Sequence, residues 1–161
     1  MKAITLRHPW PWCVCCAGKP LENRTWAPGL RIGEKFAIHG GRWPIGADDK
    51  AHGKADAEYV EEIIATIEDL GHENMLPGGK VTLRMLSRFA GICAVATFGG
   101  VVTASDSRWF CGPFGWKLLG EQGDVPLIVL PEPVPCRGAQ GLWDVPSEVL
   151  EKMRAQFART S

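Results

Sequence analysis

The chain has 161 residues, of which 45% are hydrophobic and 22% are charged, a size and composition typical of one soluble globular domain. The sequence contains no apolar run of roughly 18 residues and no signal-peptide pattern at its start, so we expect a cytoplasmic protein without a membrane segment. Eighteen basic residues balance eighteen acidic ones, whereas a protein that holds duplex DNA mainly through its phosphates is usually more basic. Any contact with nucleic acid is therefore expected to be a local patch, or the ligand to be small.

The first part of the chain predicts short strands and one helix. Residues 3–7 are typical of a strand, and Pro9 suits the first turn of a following helix because its missing N–H costs nothing there. Gly18 is a natural end for that helix. Extended segments are expected at residues 22–26 and 36–38.

The middle of the chain predicts the longest helix. An apolar stripe at helical spacing extends over about four turns, and its members are Val60, Ile63, Ile64, Ile67 and Leu70. Gly71 ends this pattern, and a short helix is expected over residues 81–88. Charged residues on the opposite face are typical of a solvated surface.

The following part predicts a hairpin and a loop. Residues 91–98 form a β-rich run bounded by glycine, and Gly99-Gly100 is expected to turn it into a second strand over residues 101–103. Residues 109–116, dense in glycine and aromatic side chains, are expected to form a loop.

The last part predicts two strands and a closing helix. The strands are expected at residues 127–130 and 141–145, and residues 131–135, rich in proline, are expected to connect them in an extended conformation. Ser147 can cap a final helix. Many short strands separated by turns predict an α+β fold in which a small barrel or curled sheet carries added helices.

The cysteines do not indicate disulfides or a metal. Six cysteines are present, and Cys13 and Cys16 form a C-x-x-C pair. A structural zinc site usually needs a second close pair of ligands, which the sequence lacks. Reduced thiols that act as small apolar side chains are therefore expected, and no metal or other cofactor.

The segment GKPLENRTW, residues 18–26, is the best candidate for a binding site. In an extended chain, residues two apart share a face, so Glu22, Arg24 and Trp26 would lie together with Lys19 near them. Arginine and glutamate can read the edges of a nucleobase, and an indole can stack on it. An ordinary surface ion pair beside a core tryptophan is the alternative.

Together with LRHPW at residues 6–10, this segment resembles the N-terminal signature of the ASCH family, from which it departs by lacking one residue between Gly18 and Lys19. Residues 37–39 resemble the following family strand, and residues 112–116 and 133–143 resemble the C-terminal signatures. The resemblance implies a single domain over residues 1–161 with a small PUA-like β-barrel and peripheral helices. Residues 44–90, which match nothing in the family pattern, are then expected to be a helical insertion.

The resemblance also implies a cleft, lined by this segment, that binds RNA or a nucleobase. Small bacterial relatives hydrolyse N4-acetylcytidine and others cleave RNA, so a metal-independent amidohydrolase or ribonuclease is the alternative. Lys19 matches the catalytic lysine of those amidohydrolases, whereas Glu22 stands where they have threonine. Because Lys19 follows a helix C-terminus and lies near Glu22, we expect a charged lysine suited to gripping a phosphate. Glu22 is then the better candidate for a general base.

Three further residues complete the predicted site. His8, at the start of the first helix, is expected to cap that helix rather than to act in catalysis. His39 follows a strand from which it can reach the cleft, and a structural hydrogen bond is the alternative role. Arg137, after the proline-rich segment, can contact a phosphate. The expected partner is RNA or a nucleoside; the sequence favours no oligomeric state.

Overall fold

A computed structural model describes residues 1–46, 50–69, 82–119 and 127–158. Its elements in chain order are β1 (Lys2–Leu6), α1 (Trp10–Cys16), β2 (Leu21–Arg24), β3 (Lys35–Gly40), α2 (Lys54–Asp69), α3 (Leu83–Ser87), β4 (Gly91–Val102), β5 (Phe114–Leu119), β6 (Ile128–Val134), β7 (Leu142–Asp144) and α4 (Ser147–Ala158). The fold is therefore a mixed α+β fold, as the sequence predicts.

The seven described strands form one sheet in the order β2-β5-β4-β3-β1-β7, and β6 pairs with β4 beside β5. All pairs are antiparallel except β1 and β3, which are parallel with Leu6 opposite Gly40. The end strands β2 and β7 do not pair with each other, so the described strands do not close into the predicted barrel.

The sheet is nevertheless strongly curled. Four strand-to-strand steps separate β2 from β1, which in a flat sheet would be roughly 19 Å. Yet the Arg24 guanidinium of β2 donates a hydrogen bond to the Thr5 carbonyl of β1 at 3.0 Å. A side chain can join these two strands only because the sheet bends back on itself, and this bend brings Arg24 beside the end of β1.

Three apolar clusters stabilise this arrangement. One fills the inside of the curl around Phe36 and Trp116, and a second lies between the sheet and α4. The third joins α1 to α2 and α3, with Trp12 and Ile63 almost fully buried. The helix α2 is therefore anchored to the body of the fold through Ile63 and Ile67 of the predicted apolar stripe, whereas Ile64 of that stripe is 42% exposed. Residues 47–49 and 70–81 of the predicted helical region, which include Leu70 and Gly71, lie outside the described residues.

Two predictions around β4 and β5 are wrong. Gly99-Gly100 does not turn the chain, because β4 continues through it as one strand with a register shift between Phe98 and Val101. Gly100 takes a φ of 99°, a conformation that suits a β-bulge, in which one extra residue bends a strand without ending it. The predicted loop at residues 109–116 contains the start of β5, since Phe114 to Trp116 pair with β2.

The proline-rich connector is also different from the prediction. Residues 131–134 belong to β6, which pairs with β4 through Ile128, Val129 and Val134. The outer edge of β6 faces α4, and the Gln156 side chain bonds to both the N–H and the C=O of Glu132. Proline is tolerated here because it lies on strand positions that need not donate to the sheet.

Candidate functional site: an arginine-lined cleft

An open cleft of about 960 Å³ lies at the edge of the sheet where β1 and β3 end. Parallel strands finish at the same edge, so the ends of β1 and β3 bring Thr5 and His39 together there. The start of β4, where Gly91 pairs with Gly40, and the loop between β6 and β7, where Gly138 packs against Thr5 and His39, complete the lining. The cleft is lined by Thr5, Arg7, Arg24, Trp26, His39, Gly40, Gly41, Arg42, Ala90, Gly91, Pro135, Cys136, Arg137, Gly138, Ala139, Gln140 and Gly141.

The charge of the cleft lining is one-sided. Four arginines line it, namely Arg7, Arg24, Arg42 and Arg137, whereas no aspartate or glutamate appears among its described lining residues. The chain as a whole carries no net charge. Folding therefore concentrates positive charge on one concave surface, which attracts anions far more strongly than the composition indicates.

Two contacts with residues behind the cleft lining hold the Arg24 side chain in position. Its guanidinium lies 3.0 Å from a Glu22 carboxylate oxygen and 3.0 Å from the Thr5 carbonyl oxygen to which it donates. The Arg24 side chain is one quarter exposed, while its Nε is buried without a partner in the described structure. The part of the guanidinium that remains accessible is thus oriented before any ligand arrives.

Lys19 and Glu22 lie one side chain away from the cleft and do not line it. The Lys19 ammonium is 3.1 Å from the second Glu22 carboxylate oxygen and also donates to the Leu21 carbonyl. The side chains of Lys19 and Glu22 are only 3% and 7% exposed, so a substrate in the cleft meets Arg24 instead of either residue. Lys19 additionally lies over the Trp10 ring at 5.6 Å.

The group formed by Lys19, Glu22 and Arg24 has more positive than negative charge. Two cations, Lys19 and Arg24, share the single carboxylate of Glu22, and both carboxylate oxygens are engaged. A buried cation without a full partner is costly, and an anion placed near Arg24 would reduce that cost. The arrangement therefore prepares the inner end of the cleft for a negatively charged or oxygen-rich ligand.

The two histidines differ in position. His39 lines the cleft with its Nε2 3.1 Å from the Cys136 carbonyl oxygen and its ring edge-on to Trp143. His8 lies outside the cleft lining, with its Nε2 3.0 Å from the carbonyl oxygen of Gly41. Burial lowers the pKa of both histidines below the usual 6.5. Neutral rings are therefore expected at neutral pH.

Trp26 and Arg137 lie at accessible positions of the cleft. Trp26 is half-buried and its ring packs edge-on against Trp116, whose indole N–H donates to the Trp26 carbonyl at 3.0 Å. Arg137 is exposed on the loop between β6 and β7. The Trp26 ring, which packs against Trp116 on one side, is suited to stack on a base, and the exposed Arg137 guanidinium is suited to bind a phosphate.

The predicted site is thus gathered in part. The cleft is lined by Arg24, Trp26, His39 and Arg137. Glu22 lies behind the lining and binds Arg24, and Lys19 binds Glu22 in turn. His8 does not line the cleft.

Sequence reasoning missed Arg7, the first residue after β1, and Arg42, the second residue after β3. Two arginines that each follow a strand come together if the two strands are parallel neighbours. The sequence shows the arginines, but no sequence pattern indicates that β1 and β3 pair in parallel.

The described residues hold no group of three or more His, Cys, Asp or Glu side chains that could hold a metal. The thiols of the C-x-x-C pair differ, with Cys13 buried and Cys16 exposed. Burial raises the pKa of the Cys13 thiol to about 12, so this thiol stays protonated and apolar. No helix within the described ranges is long and apolar enough to cross a membrane.

A scan of the sequence against models of known protein families gives no match, and a search of curated proteins finds no significantly similar chain.

Proposed function

We propose that this protein is an ASCH-type, PUA-like domain that binds single-stranded RNA in the arginine-lined cleft. The observation that carries the proposal is the lining itself, in which four arginines and one accessible tryptophan surround a cavity with no described carboxylate. A positive groove with aromatic platforms is the usual means of holding a single strand, since guanidinium groups bind the phosphates while bases stack on rings.

The charge of the cleft favours RNA over an uncharged nucleoside. Arg24 and Arg42 each have a carboxylate partner, in Glu22 and Asp56. Within the described part of the chain, no ion pair is formed by Arg7 or Arg137. A neutral ligand such as N4-acetylcytidine would leave these charges without a counter-charge, whereas a phosphodiester would supply one.

The burial of Lys19 and Glu22 favours binding over hydrolysis. A catalytic group must reach the reacting atom, and these two side chains are turned towards each other and towards Arg24. Their contacts support a structural role in which they hold Arg24 in place. The six free thiols support the cytoplasmic location that an RNA ligand implies.

The test is a fluorescence-anisotropy titration of a short labelled single-stranded RNA with the wild-type protein and with Arg137→Gln. The matched control is Arg31→Gln, which removes the same charge from a residue that lies outside the cleft lining and whose side chain is 93% exposed. We expect Arg137→Gln to weaken binding about tenfold, the loss of one charge-assisted hydrogen bond, and Arg31→Gln to bind like the wild type. Equal affinities for the two variants, or no binding by the wild type, would contradict the proposal.

Incubation with N4-acetylcytidine, followed by chromatography, addresses the amidohydrolase alternative. Turnover that Lys19→Ala abolishes would replace the binding function with that enzyme activity. A parallel incubation with labelled RNA addresses the ribonuclease alternative, and intact RNA after incubation is expected if the cleft only binds.

A further inference from the structure

The helix α2 touches two of the cleft arginines from outside the cleft. Asp56 and Tyr59 are three residues apart on this helix, so they lie on the same face. Tyr59 lies beneath the Arg7 guanidinium, 4.0 Å from ring centroid to guanidinium carbon, and Asp56 binds Arg42 at 2.8 Å. Neither Asp56 nor Tyr59 lines the cleft itself, but each contacts a residue that does.

The two contacts leave the arginines in different electrostatic states. Asp56 offsets the charge of Arg42 with a carboxylate, whereas the Tyr59 ring attracts Arg7 through its π-system and leaves the full positive charge in place. The Arg7 guanidinium also lines the cleft, so the N–H groups that it presents there can bind phosphate oxygens. Glu62 lines a small pocket together with Arg7 and Tyr59, but no ion pair within the described residues joins it to Arg7. Arg7 is therefore less neutralised than Arg42 at this rim.

The Tyr59 platform is itself held firmly. Its hydroxyl donates a hydrogen bond to the His8 carbonyl, next to Arg7 in the chain. The ring packs against the cluster in which Ile63 and Trp12 are buried. Burial raises the pKa of the Tyr59 hydroxyl to about 12, so it remains a neutral donor at physiological pH. The position of Arg7 thus depends on α2 through a fixed aromatic ring.

From these contacts we infer that the cleft contains a phosphate subsite at Arg7, with Tyr59 of α2 as the positioning residue that holds the guanidinium at the rim. The subsite rests on the proposed RNA-binding function and deepens it, because it assigns one end of the cleft to a phosphate group of the bound strand. It also gives α2, which lies in the segment that the family resemblance leaves unmatched, a direct part in ligand recognition.

The experiment measures RNA binding by anisotropy over a range of salt concentrations. We expect Arg7→Gln to weaken binding about tenfold and to reduce the slope of log K against log salt by about 0.7, the value for one phosphate contact on a single strand. Tyr59→Leu is expected to weaken binding in the same direction, and Tyr59→Phe, which keeps the ring, to restore most of the affinity lost in Tyr59→Leu. Arg31→Gln is the charge-matched control.

A double variant separates positioning from a general loss of structure. If Tyr59 acts through Arg7, then Arg7→Gln combined with Tyr59→Leu binds RNA no more weakly than Arg7→Gln alone. Additive losses would contradict the inference, because they would mean that Tyr59 acts independently of Arg7.

Tyr59 is the only tyrosine of the chain, so a sample labelled with ¹³C-tyrosine gives one site to observe. We expect its resonance to shift in Arg7→Gln and also when RNA is added to the wild type. The RNA-induced shift should be lost or strongly reduced in Arg7→Gln. An RNA-induced shift of the same size in both proteins would contradict the subsite.

Competition identifies the group that is bound. A nucleoside 5′-monophosphate and an unlabelled RNA strand should displace labelled RNA more strongly than the nucleoside, since both present a phosphate; equal displacement by the nucleoside would overturn the subsite. The failure of the subsite differs from the failure of the function. If RNA binds and Arg137→Gln weakens it while Arg7→Gln does not, only the subsite is wrong, whereas no binding by the wild type contradicts both.

Discussion

The Lys19 ammonium and the Glu22 carboxylate lie 3.1 Å apart with both side chains almost fully buried, and the same carboxylate reaches Arg24 at 3.0 Å. Glu22 is therefore the shared counter-charge of two cations, one of which lines the cleft. The sequence motif that contains Lys19 and Glu22 suggested catalysis, but in the structure these two residues hold Arg24, which lines the cleft.

Replacing Glu22 tests this role. Glu22→Gln leaves both Lys19 and Arg24 without a carboxylate, and removing one partner of a buried ion pair typically costs about 3–5 kcal/mol of the free energy of unfolding. Lys19→Met should cost less, because Glu22 keeps Arg24. Urea denaturation followed by circular dichroism measures both. Glu34→Gln, which removes a carboxylate paired with the exposed Arg31, is the control and should change stability by less than about 1 kcal/mol.

Gly138 should tolerate no side chain. A Cβ at this position would lie 2.5 Å from the Thr5 hydroxyl oxygen and 2.6 Å from the His39 ring. Gly138→Ala is expected to displace that ring, to reduce stability by about 1–3 kcal/mol and to weaken RNA binding, since Gly138 lines the cleft. Gly29→Ala, where a Cβ meets nothing within 4 Å, is the matched control. Wild-type stability and affinity in Gly138→Ala would show that the wall of the cleft is not closely packed.

Stability should fall on mild acidification because of His8 and His39. Burial lowers the pKa of both rings in the folded state, so below about 6.5 the unfolded chain binds protons that the folded protein does not. Each histidine then contributes a loss of up to about 1.4 kcal/mol per pH unit. Urea unfolding at pH 7.5 and pH 5.5 measures this difference. The double variant His8→Gln with His39→Gln should lose most of it, and an equal pH dependence in that variant would contradict the assignment.

Asp56→Asn should strengthen RNA binding. The Asp56 carboxylate offsets the charge of Arg42 at the rim, and its removal frees that guanidinium for the ligand. An exposed pair of this kind is worth up to about 1 kcal/mol, so we expect binding about threefold tighter, with a steeper salt dependence. Glu61→Gln, an exposed carboxylate on the same helix, is the control. Weaker binding by Asp56→Asn would mean that the ion pair positions Arg42 productively.

The sequence by itself determined most of the elements and part of the cleft. Local spacing and turn residues predicted β1, α1, α2 and α4 because their apolar periodicity and end signals are encoded within a few neighbouring residues. The alternation along β2 placed Glu22 and Arg24 together, and their ion pair is present. Glycine and proline occur both in turns and within strands, and here the predictions from local sequence were wrong. Gly99-Gly100 bends β4 without ending it, and the prolines predicted to form a connector lie within β6.

Only the tertiary structure decided which residues face the ligand. The parallel pairing of β1 with β3 brings Arg7 and Arg42 to one rim, although 35 positions separate them in the sequence. The curl of the sheet turns Arg24 into the cleft and leaves Lys19 and Glu22 buried behind it. Both outcomes depend on contacts between distant strands, so a chain without net charge acquires a positive cleft only through the way in which it folds.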